Sequence, residues 1–236
     1  DKKTGRTKQS NVRVEINGLH YIQKYCETNS LKNVQPNFIQ KNYAMVNNEP
    51  IRPVDINDFN LRASFQKEKK ISSSGPLAES IISNWENSKK NFRYINRISF
   101  THDKLPIRVD LSIVKENTYE QSEFRGKKIF KPKPEYNFQS ANVLENPEKY
   151  EIELEVLNNK VGAGTDFSSV NILSKSLRKA IIYILSGLQM TSYPISYGEI
   201  DKIGTQYLKL VHGENYNERM KMKPKLFLGP SSKTLQ

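Results

Sequence analysis

The stretch Tyr150-Glu151-Ile152-Glu153-Leu154-Glu155-Val156 carries the sharpest pattern in this chain. Side chains of a strand alternate between its faces, so Glu151, Glu153 and Glu155 share one face while Ile152, Leu154 and Val156 share the other. On an outer sheet face, carboxylates roughly 7 Å apart are simply solvated. In a confined and otherwise basic interior they repel one another and shift toward protonation unless a cation compensates them. Hard oxygen ligands of this kind suit Mg²⁺ or Mn²⁺, which keep several waters and bridge to phosphates.

Working outward, Phe92 to Thr101 and Pro106 to Val114 both alternate and are joined by a short turn at His102-Asp103-Lys104, which predicts a hairpin. Arg93, Arg97 and Ser99 share one face of its first strand. Arg108, Asp110 and Ser112 share one face of its second, with Ile107, Val109, Leu111 and Ile113 opposite. The hairpin thus offers arginine forks that match phosphate oxygens, backed by an apolar face fit to pack on helices. An ordinary antiparallel hairpin with a solvated face gives the same alternation. Three such strands in one chain are better explained by closure with the polar faces inside.

Further strands are expected at Val12–Ile16, Phe38–Val46 and Asp58–Lys70, the last with Leu61, Ala63 and Phe65 on one face. Leu19–Cys26 and Leu77–Trp85 have helical spacing. Residues 117–147 are polar and proline-bearing and read as a long connection. Beyond Leu157 the period changes: Val170, Leu173, Leu177, Ala180, Ile181 and Ile184 recur at helical steps, with Gly187 as a stop. A second helix starts at Ser196, where Glu199 three residues on forms a capping-box pattern, and runs to His212-Gly213.

The 236 residues carry 37 Lys+Arg against 25 Asp+Glu, a net charge of +12 that favours polyanionic partners. No run approaches the roughly 18 apolar residues needed to cross a bilayer. The single cysteine, Cys26, excludes an internal disulfide and a multi-cysteine zinc cluster. His20, His102 and His212 are too scattered to be a ligand set by spacing, and Val161–Thr165 lacks the lysine and spacing of a P-loop.

In order, Arg97-Ile98-Ser99-Phe100, Arg108-Val109-Asp110-Leu111-Ser112 and Glu151-Ile152-Glu153-Leu154-Glu155 resemble three successive strand motifs of the triphosphate tunnel RNA triphosphatases of fungi and large DNA viruses. Arg62 to Glu68 resembles an earlier tunnel strand ending in a functional glutamate. Phe38-Ile39-Gln40-Lys41-Asn42 more loosely resembles a basic one. The resemblance implies an α+β fold, an antiparallel β-barrel of about eight strands with flanking helices, two of them C-terminal. It implies a tunnel domain over 1–225, with its first strand upstream of Asp1, and a linker over 226–236 toward a guanylyltransferase domain.

The activity so implied is a metal-dependent RNA 5′-triphosphatase that removes the γ-phosphate of nascent mRNA in the first step of cap formation. Glu153 and Glu155 are then ligands to Mg²⁺ or Mn²⁺, and Glu151 engages a water at the metal. Arg97, Arg108, Arg62, Arg93 and Lys41 neutralise phosphate, Glu68 orients the attacking water, and Asp110 holds an arginine in place. Implied partners are 5′-triphosphate RNA, a fused guanylyltransferase and, as a further fusion candidate, a methyltransferase, with no membrane. The implied location is the cytoplasmic viral factory or the virion of a large DNA virus.

Two positions depart from the pattern. The family's early Glu-x-Glu strand has no counterpart, since Glu15 is preceded by Arg13, and Ile95 stands where the family often has lysine. Two alternatives therefore accompany the triphosphatase reading: a non-catalytic tunnel-fold module that binds RNA or a partner, and a tunnel enzyme acting on tripolyphosphate or nucleotides.

Overall fold

The computed structural model describes residues 10–124 and 126–220. The linker expected over 226–236 lies outside the described residues. Along the chain come β1 (Val12–Ile16), α1 (Leu19–Thr28), β2 (Pro36–Tyr43), β3 (Met45–Val46), β4 (Glu49–Pro50), β5 (Val54–Ile56), β6 (Leu61–Ala63), β7 (Gln66–Ile71) and α2 (Pro76–Ser83). There follow β8 (Arg93–Thr101), β9 (Ile107–Glu116), β10 (Tyr119–Phe124), β11 (Lys127–Pro132), β12 (Lys149–Val156), α3 (Val170–Gln189) and α4 (Tyr197–His212).

The fold is α+β, with antiparallel sheets and four α-helices among the described residues. Its larger sheets have the orders β1-β2-β7 and β12-β9-β8, and β3-β4, β5-β6 and β10-β11 are two-stranded. Among the described residues these sheets do not join into a closed barrel. The chain divides into two compact units. One takes the chain up to Arg52, Ser64–Ile98 and Leu111–Ile152; the other takes Pro53–Ala63, Ser99–Asp110 and the chain from Glu153 onward.

In the first unit β2 is central, pairing with β1 on one side and β7 on the other. Phe38 of β2 is fully buried and packs with Tyr25 of α1, Leu31, Val34 and Ala78 of α2. Burial of a phenylalanine side chain of this kind contributes roughly 2–3 kcal/mol. Trp85 meets Tyr25 edge-on at 6.2 Å and donates its indole N–H to the phenol oxygen at 3.1 Å. Burial pushes the Tyr25 hydroxyl up to about 12.

A second anchor in this unit is Asn117, fully buried just beyond β9. Its Oδ1 accepts from the Phe92 N–H at 2.7 Å, while its Nδ2 donates to the carbonyls of Lys90 and Lys133 at 3.0 and 2.7 Å. One side chain thereby ties the entry of β8, the end of β9 and the exit of β11 together. The long connection expected over 117–147 is corrected here. It contains the β10–β11 hairpin, paired from Tyr119↔Pro132 to Phe124↔Lys127, and buries Ala141 and Val143. Pro132 is tolerated because the next residue, Lys133, donates its N–H across to the Thr118 carbonyl at 2.8 Å, which leaves the nitrogen of Pro132 at a position that needs no ladder partner.

In the second unit α4 begins as its sequence predicts. The Ser196 hydroxyl accepts from the Glu199 N–H and the Glu199 carboxylate accepts from the Ser196 N–H, while Lys209 and His212 occupy the last turn, complementing the helix dipole. Helix α3 runs past Gly187 to Gln189 and is capped by Met190, which takes the left-handed conformation at φ 53° and donates its N–H to the Gly187 carbonyl. The expected stop at Gly187 is therefore displaced. The strand expected over Asp58–Lys70 is also corrected: it breaks at Ser64-Phe65, so that β6 pairs with β5 and β7 pairs with β2.

Candidate functional site

The charged residues of the three motifs fall into two groups, one in each compact unit. Strand β9 turns Asp110, Ser112 and Val114 to its buried side and leaves Leu111 and Ile113 exposed. The apolar back expected to pack on helices also remains open on β8, where Ile98 and Phe100 are exposed.

In the first unit Arg93 is the hub. Its Nη2 donates to both Glu151 oxygens at 2.7 and 2.6 Å, and its Nε lies 3.0 Å from Glu116 Oε1. Glu116, only 13% exposed, also faces Lys149 Nζ at 2.8 Å and accepts from the Tyr119 hydroxyl at 2.5 Å. Burial pushes the Glu116 carboxyl upward, but the Lys149 and Tyr119 hydrogen bonds and the charges of Lys149 and Arg93 outweigh it and hold it below its ordinary range. On the same two strands, Arg97 Nε donates to the buried Ser112 hydroxyl at 3.0 Å.

In the second unit Arg108 forks onto Asp110, from Nε to Oδ1 at 3.0 Å and from Nη2 to Oδ2 at 3.1 Å, and Nη2 also reaches Glu155 at 2.5 Å. Asp110 is fully buried, whereas half of Glu155 is exposed. Burial opposes the charged form of Arg108, but the Asp110 hydrogen bond and the charges of Glu155, Asp110 and Glu153 raise its pKa further still. Glu153 thus belongs electrostatically to this group.

The remaining candidates stand elsewhere. Lys41 and Glu68 are register partners across β2 and β7 and form an ion pair. Arg62 sits on β6 and grips Asp55 of β5 at 2.5 and 3.0 Å, so it does not share a strand or a sheet with Glu68. His102 accepts from the Lys104 N–H within its turn, which accounts for it structurally.

Sequence reasoning missed Glu116, Lys149 and Tyr119. Glu116 closes the predicted hairpin strand two residues beyond Val114, and its same-face spacing from Ser112 and Val114 was the available signal. Among the described residues no three His, Cys, Asp or Glu side chains converge as a metal-holding group. The carboxylates of Glu153 and Glu155 on β12 are hard oxygen donors of the kind Mg²⁺ or Mn²⁺ accepts, but Glu155 is already held by Arg108. Compared with known protein families, curated proteins and solved structures, the chain matches none. Among the described residues no helix is long and apolar enough to cross a membrane.

Proposed function

We propose that this chain is an RNA 5′-triphosphatase module of the tunnel type, acting on the triphosphate end of nascent mRNA. The observation that carries the reading is that the arginines of each unit are oriented by an oxygen of a neighbouring residue: in one unit Arg93 by Glu116 and Glu151 and Arg97 by Ser112, and in the other Arg108 by Asp110. Preoriented guanidinium forks suit phosphate oxygens, and positioning with electrostatic stabilisation dominates phosphoryl transfer. Barrel closure would bring the polar faces of the sheets around one substrate.

In this reading Glu153 and Glu155 would hold Mg²⁺ or Mn²⁺, which when bound supplies charge neutralisation at the γ-phosphate. Arg93, Arg97 and Arg108 hold the phosphate chain; Arg62, gripped by Asp55, and Lys41, paired with Glu68, would contact phosphate only on releasing those partners. Glu68 accepts a proton from the attacking water, whose oxygen bonds to the γ-phosphorus as the bond to the β–γ bridging oxygen breaks. Asp110 fixes Arg108, and Glu151 orients water. The products are inorganic phosphate and a 5′-diphosphate RNA end, the acceptor that a fused guanylyltransferase would use, in a viral factory or virion.

Phosphate release from 5′-triphosphate RNA in the presence of Mg²⁺ or Mn²⁺ tests the reading, with Glu153→Ala expected to abolish it. Retained release in that variant sinks the assignment, and a panel with tripolyphosphate and nucleoside triphosphates separates the RNA enzyme from its tunnel-type alternatives. One observation favours a second reading, RNA binding without turnover: Glu151 and Glu155 are already engaged by Arg93 and Arg108.

A further inference from the structure

The β10–β11 hairpin lies outside every motif used so far, yet it displays two aromatic rings on one face. Opposed residues of an antiparallel pair share a face, so the pairs Tyr119↔Pro132, Gln121↔Phe130 and Glu123↔Lys128 place Tyr119, Gln121, Glu123, Lys128, Phe130 and Pro132 together. Tyr119 and Phe130 are diagonal neighbours there, with Cβ atoms at a spacing of roughly 7 Å. Phe130 is 72% exposed and Tyr119 40%. A phenylalanine so placed contributes little to a core, and a ring held on a paired strand loses little freedom on stacking.

Tyr119 is fixed as well as exposed. Its hydroxyl donates to Glu116 at 2.5 Å, and Lys149 Nζ lies 4.1 Å from the ring centroid. Glu116 is the same carboxylate that receives Arg93 Nε, and Arg93 in turn donates to Glu151. The ring is therefore joined through one carboxylate to an arginine of the phosphate face, all within one compact unit.

We propose that this hairpin face is a stacking platform for the bases of single-stranded RNA, with Tyr119 and Phe130 as the rings and Lys128 as a contact to the phosphate backbone. Exposed aromatic rings hold single strands with little sequence preference, because every base has a π-face; Lys128 shares the face with Glu123, so the attraction for a polyanion comes from the chain's net charge of +12. The proposal deepens the triphosphatase reading, resting on it for where the 5′ end lies: the nucleotides nearest the triphosphate would stack here. It also supplies a reason for an RNA end, and not free tripolyphosphate, to be the preferred ligand.

The test is fluorescence anisotropy with a labelled oligouridine bearing a 5′-hydroxyl, the same strand bearing a 5′-triphosphate, and a blunt RNA duplex of equal length. Phe130→Ala should weaken both single strands on the order of tenfold and leave tripolyphosphate binding unchanged, while Phe130→Trp should restore the loss. Tyr119→Phe keeps the ring and should keep the affinity; Tyr119→Leu should not. Wild-type affinity of Phe130→Ala for the 5′-hydroxyl strand, or equal wild-type binding of duplex and single strand, overturns the platform. Because the 5′-hydroxyl strand has no triphosphate, Phe130-dependent binding without any phosphate release supports the platform while rejecting the hydrolase reading. Phosphate release with no dependence of binding on Phe130 does the reverse.

Discussion

Arg108 and Asp110, two residues apart on β9, form a two-pronged ion pair in which both carboxylate oxygens are satisfied and the acid is wholly buried. Removing the arginine's partner leaves a charge that was placed for it. We expect Asp110→Ala to cost about 3 kcal/mol, the lower end for a broken buried pair because Arg108 keeps some water and Glu155. Glu155→Ala, whose carboxylate is half exposed, should cost under about 1 kcal/mol while removing phosphate release. Urea unfolding of the two variants beside the activity assay checks the contrast.

Arg97→Ala should lower phosphate release at least about a hundredfold without a matching loss of stability. Arg97→Lys should restore little, since an ammonium cannot reproduce a fork that holds Ser112 and, in the proposed function, would hold a phosphate as well. His102→Ala, whose imidazole only serves its own turn, is the control and should behave as wild type in steady-state kinetics.

Glu116 has a depressed pKa when folded, so it binds protons more readily in the unfolded chain. Its contribution to stability is present above the ordinary value of 4.5 and is lost as pH falls through that value toward the lower folded one. The stability gap between wild type and Glu116→Gln should therefore be constant near neutrality and shrink below pH 4.5. Thermal melts across an acid series read this directly, and a gap that widens on acidification would contradict it.

Asn117→Ala would orphan the Phe92 N–H and the Lys90 and Lys133 carbonyls. A loss of about 3 kcal/mol or more is expected, since each buried unsatisfied group costs about 1–3 kcal/mol. Hydrogen exchange at Phe92 should accelerate in step. Ser196→Ala, by comparison, removes one cap and should cost about 1 kcal/mol.

What could be read from the sequence was whatever repeats at short range. The alternation in β12 and in the β8–β9 hairpin, and the Ser196–Glu199 box, are each complete within a few residues, so local pattern sufficed. The β10–β11 pairing was hidden because Pro132 and Pro134 look prohibitive until the strand is seen to end at the first of them. Glu116 could not be valued from its own neighbourhood, since Lys149, its partner, is 33 residues away. Asn117 likewise acquires meaning only from the two distant carbonyls and the amide that it joins. The break at Ser64-Phe65 escaped notice because alternation runs on through it; β6 and β7 separate by choosing different partners, β5 and β2.

Strand β9 buries Asp110 and Ser112 and shows Leu111 and Ile113 to solvent. That reversal inverts the usual tolerance to mutation. Leucine to lysine at Leu111 is the mild change, while a polar residue swapped for a greasy one at Asp110 is the ruinous one. Ile107 and Val114 remain the strand's buried apolar anchors, so its hydropathy can drift at Leu111 and Ile113 without loosening it.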